Sequence, residues 1–314
     1  MNKIAFLLIF LILSVSSKAQ EINLEELINK AEKATTQYTL TFKNLSADEL
    51  KTFVYFKNDG KIDETRIVKS NFIVYQSPRT NKIDEYRNPL EFNGKNVSLT
   101  DEKISDFFEK LAKSSSDSKE HDKLRSEGNR YDGKFRSWGM TLLQINPFYR
   151  LKSFFNFSII GFETISERKV VKIQYSQNKP TLFYKVNPTN EELNTEPIGW
   201  RFDTMISDDL RPTNPNMKGE IWLDAESGQI WKNSFKIEIK PEKISKPVLT
   251  SEYSYEYQPS KFGILIPKIF QTISYRIQGK NDSTLKATKI ADRKFEYSNF
   301  TQIDSEIKKY EVGK

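Results

Sequence analysis

The feature that most constrains this chain is a two-residue rhythm that returns from one end to the other. In GEIWLDAESGQIWKNSFKIEIK (219–240), Ile221 and Leu223 share one phase. After the turn, Trp231, Phe235, Ile237 and Ile239 share a phase while Lys232, Lys236, Glu238 and Lys240 take the other. A period of two sends alternate side chains to opposite faces of a strand, so the segment predicts a hairpin with one buried and one wet face, as in an antiparallel sheet. The stretch Asp224 to Gln229 is the turn, and Gly228 is placed to supply left-handed backbone. Val171, Ile173 and Tyr175 alternate in the same way, as do Tyr253, Tyr255 and Tyr257, and then Ile269, Gln271, Ile273, Tyr275 and Ile277. Short runs rich in β-branched and aromatic residues fill 38–76, with Asn58, Asp59 and Gly60 marking a turn between two of them. No crossover helix separates these runs, which excludes a parallel sheet there. The expected fold is mainly β with some α: one large, strongly curved antiparallel sheet.

Three stretches break the rhythm with helical signals. In EINLEELINKAEKATTQY, Leu24, Leu27, Ile28 and Ala31 recur at i, i+3, i+4 and i+7, Asn23 can cap, and Glu26 sits where a capping-box acid belongs. A second helix is expected at 100–115, capped by Thr100, where Ile104, Phe107, Phe108 and Leu111 repeat the stripe. That stripe fills the concave side of the sheet or walls a ligand. Asn146-Pro147 reads as a third helix start, after which Phe148, Leu151 and Phe155 share a face and Phe154 and Phe157 add apolar surface. Such a segment must be covered by the sheet, a ligand or a partner.

Two stretches read as irregular. The polar insert near 114–130 reads as a surface connection and contains the chain's one histidine, His121, in a context that points to no catalytic role. The segment 187–218 holds Pro188, Pro197, Pro212 and Pro215, which argue for a long loop. Its apolar members, Trp200 and Phe202 among them, imply that it folds back on the sheet.

The chain opens with Lys3, an apolar run from Ala5 to Leu13, and small residues at Ser17 and Ala19. That pattern predicts a secretory signal peptide over 1–19, its apolar core shorter than the ~20 residues a membrane span needs. One domain is expected over 20–314. With no cysteine in the chain, neither a lipobox anchor nor a disulfide framework is available. The expected location is the periplasm or the exterior. The formal charge is +7, or +5 once Lys3 and Lys18 leave with the leader, and Lys is interleaved with Glu and Asp throughout. That distribution points away from nucleic acid.

Enzymatic signatures are sparse. The chain contains no Gly-x-Ser-x-Gly elbow, H-E-x-x-H, phosphate-binding glycine loop or dinucleotide fingerprint. Paired carboxylates are the one enzymatic option left, because glycoside hydrolysis needs only two of them. Asp203, Asp208, Asp209, Asp224 and Glu226 are acids of that kind, though turns and loops favour acids for local hydrogen bonding. The expectation is a protein without catalytic residues, metal or cofactor.

The order of leader, amphipathic helix, antiparallel strands and late hairpin resembles the LolA-like group of periplasmic lipoprotein carriers and their outer-membrane lipoprotein-sorting relatives. The match in the late hairpin is Gly219, Ile221, Trp222, Leu223, Asp224 and Gly228, and GFETISERKVVKIQY (161–175) looks like the earlier strand-turn-strand. The chain is longer than such carriers, and no residue matches their functional arginine. The resemblance implies an incomplete β-barrel whose concave apolar face, covered by short helices and loops, holds a lipid, an acyl chain or another hydrophobic small molecule. The residues expected to line that site are Phe107, Phe108, Phe148, Leu151, Phe154, Phe155, Trp200 and Phe202. The expected partners are that ligand, with envelope proteins or the membrane surface beside it, and the expected state is a monomer. The rival expectations are an interaction protein whose own helices fill the cavity and, third, a carboxylate-dependent glycan enzyme.

Overall fold

A computed structural model describes residues 22–77, 83–99, 103, 106, 109–110, 119–133, 146–148, 151–179, 184–185, 200–201, 205–206, 215–242 and 244–303. Helix α1 (Leu24–Thr41) begins as the sequence predicts, the Asn23 side chain accepting a hydrogen bond from the Glu26 N–H at 3.1 Å. Its buried stripe is Leu27, Ala31, Thr35 and Tyr38. It ends where the Phe42 N–H returns to the Tyr38 carbonyl and Asn44 takes positive φ, turning the chain into the first strand.

The strands are β1 (Leu45–Phe56), β2 (Ile62–Gln76), β3 (Ile83–Phe92), β4 (Lys95–Asn96), β5 (Phe155–Ile165), β6 (Arg168–Gln177), β7 (Tyr184–Lys185), β8 (Trp200–Arg201), β9 (Met205–Ile206), β10 (Asn216–Asp224), β11 (Ile230–Ile239), β12 (Val248–Gln258), β13 (Ile266–Gln278) and β14 (Lys286–Gln302). The main sheet runs β4-β3-β2-β1-β14-β13-β12-β11-β10-β6-β5, antiparallel throughout, with β9 added in parallel to the end of β13. Strands β4 and β5 are its two edges among the described residues, so the sheet is open rather than a closed barrel. The predicted hairpins are present: Gly60 (φ 85°) turns β1 into β2, Ser166 and Glu167 turn β5 into β6, and Gly228 (φ 73°) turns β10 into β11.

Curvature follows from packing. Eleven strands laid flat would be about 48 Å across, far wider than one helix about 27 Å long can cover. Yet α1 shares a single apolar core with β1, β2, β6 and β10 to β14. Tyr38 meets Tyr257 of β12, Phe42 meets Phe300 of β14, and Ala31 abuts Gly228 in the β10–β11 turn. The sheet therefore wraps around the helix, which defines an inner face.

The structure corrects two readings. Within the polar insert, Lys119–Gly128 is a helix, α2, that buries His121 and Leu124. It packs on the outer face against Ile73, Tyr75 and Tyr86, and so few apolar residues on a charged helix leave little periodic signal. Among the described residues from Asn146 to Phe155 there is no α-helix. Asn146 caps a turn by accepting from the Phe148 N–H, one 3-10 turn follows at Lys152–Phe154, and β5 starts at Phe155. The β-branched and aromatic residues of β5 win over the proline signal. Strand β3, with Pro89 inside it and no clean alternation, carried no sequence prediction.

Candidate functional site

The inner face is an aromatic surface. Stacked and edge-to-face rings run from Phe53 (β1) to Phe295 (β14), Phe270 (β13) and Tyr255 (β12), with successive centroids 5.6, 5.3 and 4.6 Å apart, and Phe235 of β11 lies 6.3 Å from Tyr255. Such spacings are those at which ring quadrupoles favour offset or edge contacts. Further along, Phe155 packs edge-on against Tyr175 at 5.7 Å and Phe157 stacks with Phe148 at 5.6 Å. The Tyr175 hydroxyl donates to Asn233 at 2.9 Å, so its polar end is satisfied inside the core.

Helix α1 covers this surface. Burying Leu27, Tyr38 and Phe42 contributes roughly 1.5–3 kcal/mol each, and Lys152 fastens the exposed side of the helix through Glu32 (2.6 Å) and Asn29 (3.0 Å). The seam is closed: between Ala34, Thr35 and Tyr38 of α1 and Gln229, Ile230 and Leu265 of the sheet only about 10 Å³ remains.

Of the residues expected to line a ligand site, Phe148, Leu151 and Phe155 are buried in the inner core and Phe154 packs at its margin, where the Lys179 ammonium lies 4.7 Å from its ring. They come together with α1. Trp200 stands in β8, paired in parallel with Tyr184, and its side chain, like Phe107, Phe108 and Phe202, lies outside the described residues. The four described residues around Phe107 and Phe108, namely Lys103, Asp106, Glu109 and Lys110, are helical and exposed.

The inner face also holds a buried ionic group. Glu49 and Lys51 occupy inward positions of β1, between Ala47 and Phe53. After α2 the chain rounds the edge at β4 and comes inside, where Tyr131 stacks on Phe92 and Asp132 pairs with Lys51 and receives the Tyr55 hydroxyl on its carbonyl. Arg87 of β3 donates from Nε to both Glu49 oxygens at 3.0 Å, reaches Glu85 at 3.3 Å and lies over the Phe72 ring at 5.0 Å. Burial disfavours the Arg87 charge, but Glu49 and Glu85 more than offset it and hold the guanidinium charged. Burial likewise raises the Asp132 carboxyl, against the pull of Lys51. The sequence signal for this group was two charged residues in phase with an apolar strand face.

The acids near the late hairpin serve the turn. Asp224 accepts from the Glu226 and Ser227 N–H groups, from the Ser227 hydroxyl and from Arg168. Burial works to raise its pKa, and the Arg168 and Ser227 hydrogen bonds overcome that and lower it to about 2. Among the described residues no three His, Cys, Asp or Glu side chains gather as metal ligands, and no helix is long and apolar enough to cross a membrane.

The class that fold and site define is an open antiparallel sheet wrapped around an N-terminal helix, the arrangement the LolA-like resemblance implies. No protein-family model and no curated protein matches the chain. Among solved structures it is similar to an outer membrane lipoprotein-sorting protein domain from Vibrio parahaemolyticus, at 10% identity over 86% of this chain and 92% of that one with a TM-score of 0.27. It is similar also to a DUF1329 family protein from Desulfovibrio piger (9% identity, 88% and 92% covered, TM-score 0.27) and to the MucA/MucB complex of Pseudomonas aeruginosa (10%, 87% and 93%, 0.20).

Proposed function

We propose that the protein is an exported, non-enzymatic envelope protein that takes the acyl chain of a lipid against the inner face of its sheet. The observation that carries this reading is the inner aromatic surface, covered among the described residues by the stripe of α1, by Phe148 and Leu151 at the β5 end and by Tyr131 and Asp132 at the β4 end. The chain takes the place of that stripe. Exposing Leu27, Tyr38 and Phe42 costs roughly 5–9 kcal/mol at the usual value per buried side chain, and about ten methylenes return ~8 kcal/mol. The exchange is near balance for an acyl group of that length and unfavourable for a much shorter one. Phe148, Leu151, Phe154 and Phe155 border the ligand at the β5 end, and Phe107, Phe108, Trp200 and Phe202 complete the proposed lining. The leader-like residues 1–19 support export.

The closed seam under α1 favours a second reading, an interaction protein with a permanently filled core. To separate the two, mature protein purified without detergent is extracted with organic solvent for mass spectrometry, and a second sample is irradiated with a diazirine-bearing palmitate. The carrier reading expects about one lipid per chain and label in the peptides holding Tyr38 to Phe42 and Phe148 to Phe157. A folded protein that yields no lipid and takes no label there leaves the filled-core reading standing.

A further inference from the structure

The face opposite α1 carries a feature that the inner-face reading does not use. A trough of about 830 Å³ crosses it from β5 to β13. Its floor includes a row of cross-strand partners, Ser158, Gln174, Glu220, Ser234, Ser254 and Gln271, each in register with the next. At ~4.8 Å per strand the row is about 24 Å long. A parallel row, two residues away along each strand and thus about 7 Å distant, holds Ser176, Lys218, Lys236 and Glu252 in register.

The chemistry of this floor is narrow. Its charges are matched within the sheet: Lys172 with Glu220 at 2.8 Å, Lys218 with Glu238 at 2.8 Å and Lys236 with Glu252 at 3.3 Å. An anionic polymer would have to break those pairs. Among the described residues, no hydrogen bond engages the side chains of Ser158, Gln174, Ser176, Ser234 or Ser254, and all five line the trough. Small hydroxyl side chains let a ligand come close to the sheet. An acyl chain would strand these hydroxyls and amides without partners, at a cost of about 1–3 kcal/mol for each group buried unpaired. A peptide strand would find no backbone to pair with, because the N–H and C=O groups of central strands are spent in the ladders.

We propose that this trough binds an uncharged oligosaccharide lying across the strands. A strand spacing near 4.8 Å is about the length of one pyranose unit, so successive sugars meet successive strands, with Ser158, Gln174, Ser234 and Ser254 exchanging hydrogen bonds with ring hydroxyls. The floor residues alternate along their strands with Phe157, Tyr175, Phe235 and Tyr253, which also border the trough and belong to the inner core, so the two proposed sites use opposite faces of the same strands, and either can fail alone.

The test uses the mature full chain with cellohexaose and chitohexaose as probes, read by saturation-transfer NMR and titration calorimetry. Binding of either hexasaccharide is expected, weakened about tenfold in the S234A/S254A double variant, as two hydrogen bonds of about 0.7 kcal/mol each imply. Ser234→Leu fills the floor and abolishes binding. If that variant does not fold, the alanine pair decides. No saturation transfer from either sugar at millimolar concentration overturns the proposal. So does equal binding by the alanine pair, or binding confined to a sulfated hexasaccharide.

Discussion

At the scale of single residues, the protein places charge where packing alone would not. Asp224 has its pKa held at about 2 against a usual 3.8 by Arg168 and Ser227, in spite of partial burial. A depressed carboxyl pKa contributes stability that is complete above about pH 4 and lost as pH falls through 2. Because Arg168 is half exposed, its share is screened and the Ser227 bonds carry much of the effect. Urea unfolding at several pH values should therefore show Asp224→Asn destabilised at pH 6 and the gap to wild type closing between pH 4 and 2. A gap independent of pH would contradict this.

The buried group on β1 and β3 gives a larger effect. Glu49→Ala takes from the buried Arg87 the carboxylate that accepts from its Nε on both oxygens, and breaking a buried pair in this way costs about 3–5 kcal/mol. Replacing the whole group, Glu49→Leu and Glu85→Gln with Arg87→Met, should restore most of that loss, because the desolvation cost disappears with the charges. Urea unfolding of the single and triple variants measures it, and a triple variant no better than Glu49→Ala would refute it. These positions were half legible in the sequence. The phase of Leu45, Ala47, Phe53 and Tyr55 marks Glu49 and Lys51 as inward, but their partners Arg87 and Asp132 lie on segments whose pairing no local pattern reveals.

At the scale of elements, the turns show what glycine does here. Gly60 and Gly228 both have positive φ, but a Cβ on Gly60 meets nothing within 4 Å whereas one on Gly228 would lie 2.6 Å from the Ala31 nitrogen and the Lys30 carbonyl carbon. Gly60→Ala should cost about 1 kcal/mol for the backbone conformation alone. Gly228→Ala should cost clearly more, since it also pushes α1 away from the sheet. Thermal unfolding of the two variants compares them directly, and equal losses would mean that α1 is not tightly seated.

Elements with strong local signals were legible: the Asn23 cap, the stripe through Leu27 and Ala31, and the hairpins at Gly60 and Gly228 follow from capping, period and turn chemistry. Elements defined by tertiary contact were not. Helix α2 holds to the sheet through Leu124 and the Tyr86–His121 contact, which is too little apolar surface to show as a stripe. The region after Asn146 offered a helix start, but Phe155 to Ile165 gains its ladder with β6, and pairing across the sheet outweighs the start signal. Of the expected site residues, Phe148, Leu151 and Phe155 were placed on one apolar surface by their spacing, although the spacing was read as helical and the surface is built from a turn and a strand.

At the scale of the molecule, an open sheet wrapped around one helix has two faces with different chemistry. The inner face is mostly aromatic and packed against α1; the outer face holds the polar trough, whose charges are paired, and the apolar patch that α2 covers. The sequence showed both faces in its alternation, but the order in which β14 joins β1 to β13 depends on contacts hundreds of residues apart, which no local pattern contains. If α1 is a replaceable cover, ligand length matters. Hexanoate offers too few methylenes to replace Leu27, Tyr38 and Phe42, and palmitate offers enough. Hydrogen exchange of the 24–41 peptide, measured with each fatty acid in turn, tests that claim most directly. Faster exchange of this peptide is expected with palmitate, no change with hexanoate, and protection retained in β12 to β14. Exchange in α1 that ignores palmitate at saturating concentration would contradict it and leave the helix as a permanent part of the core.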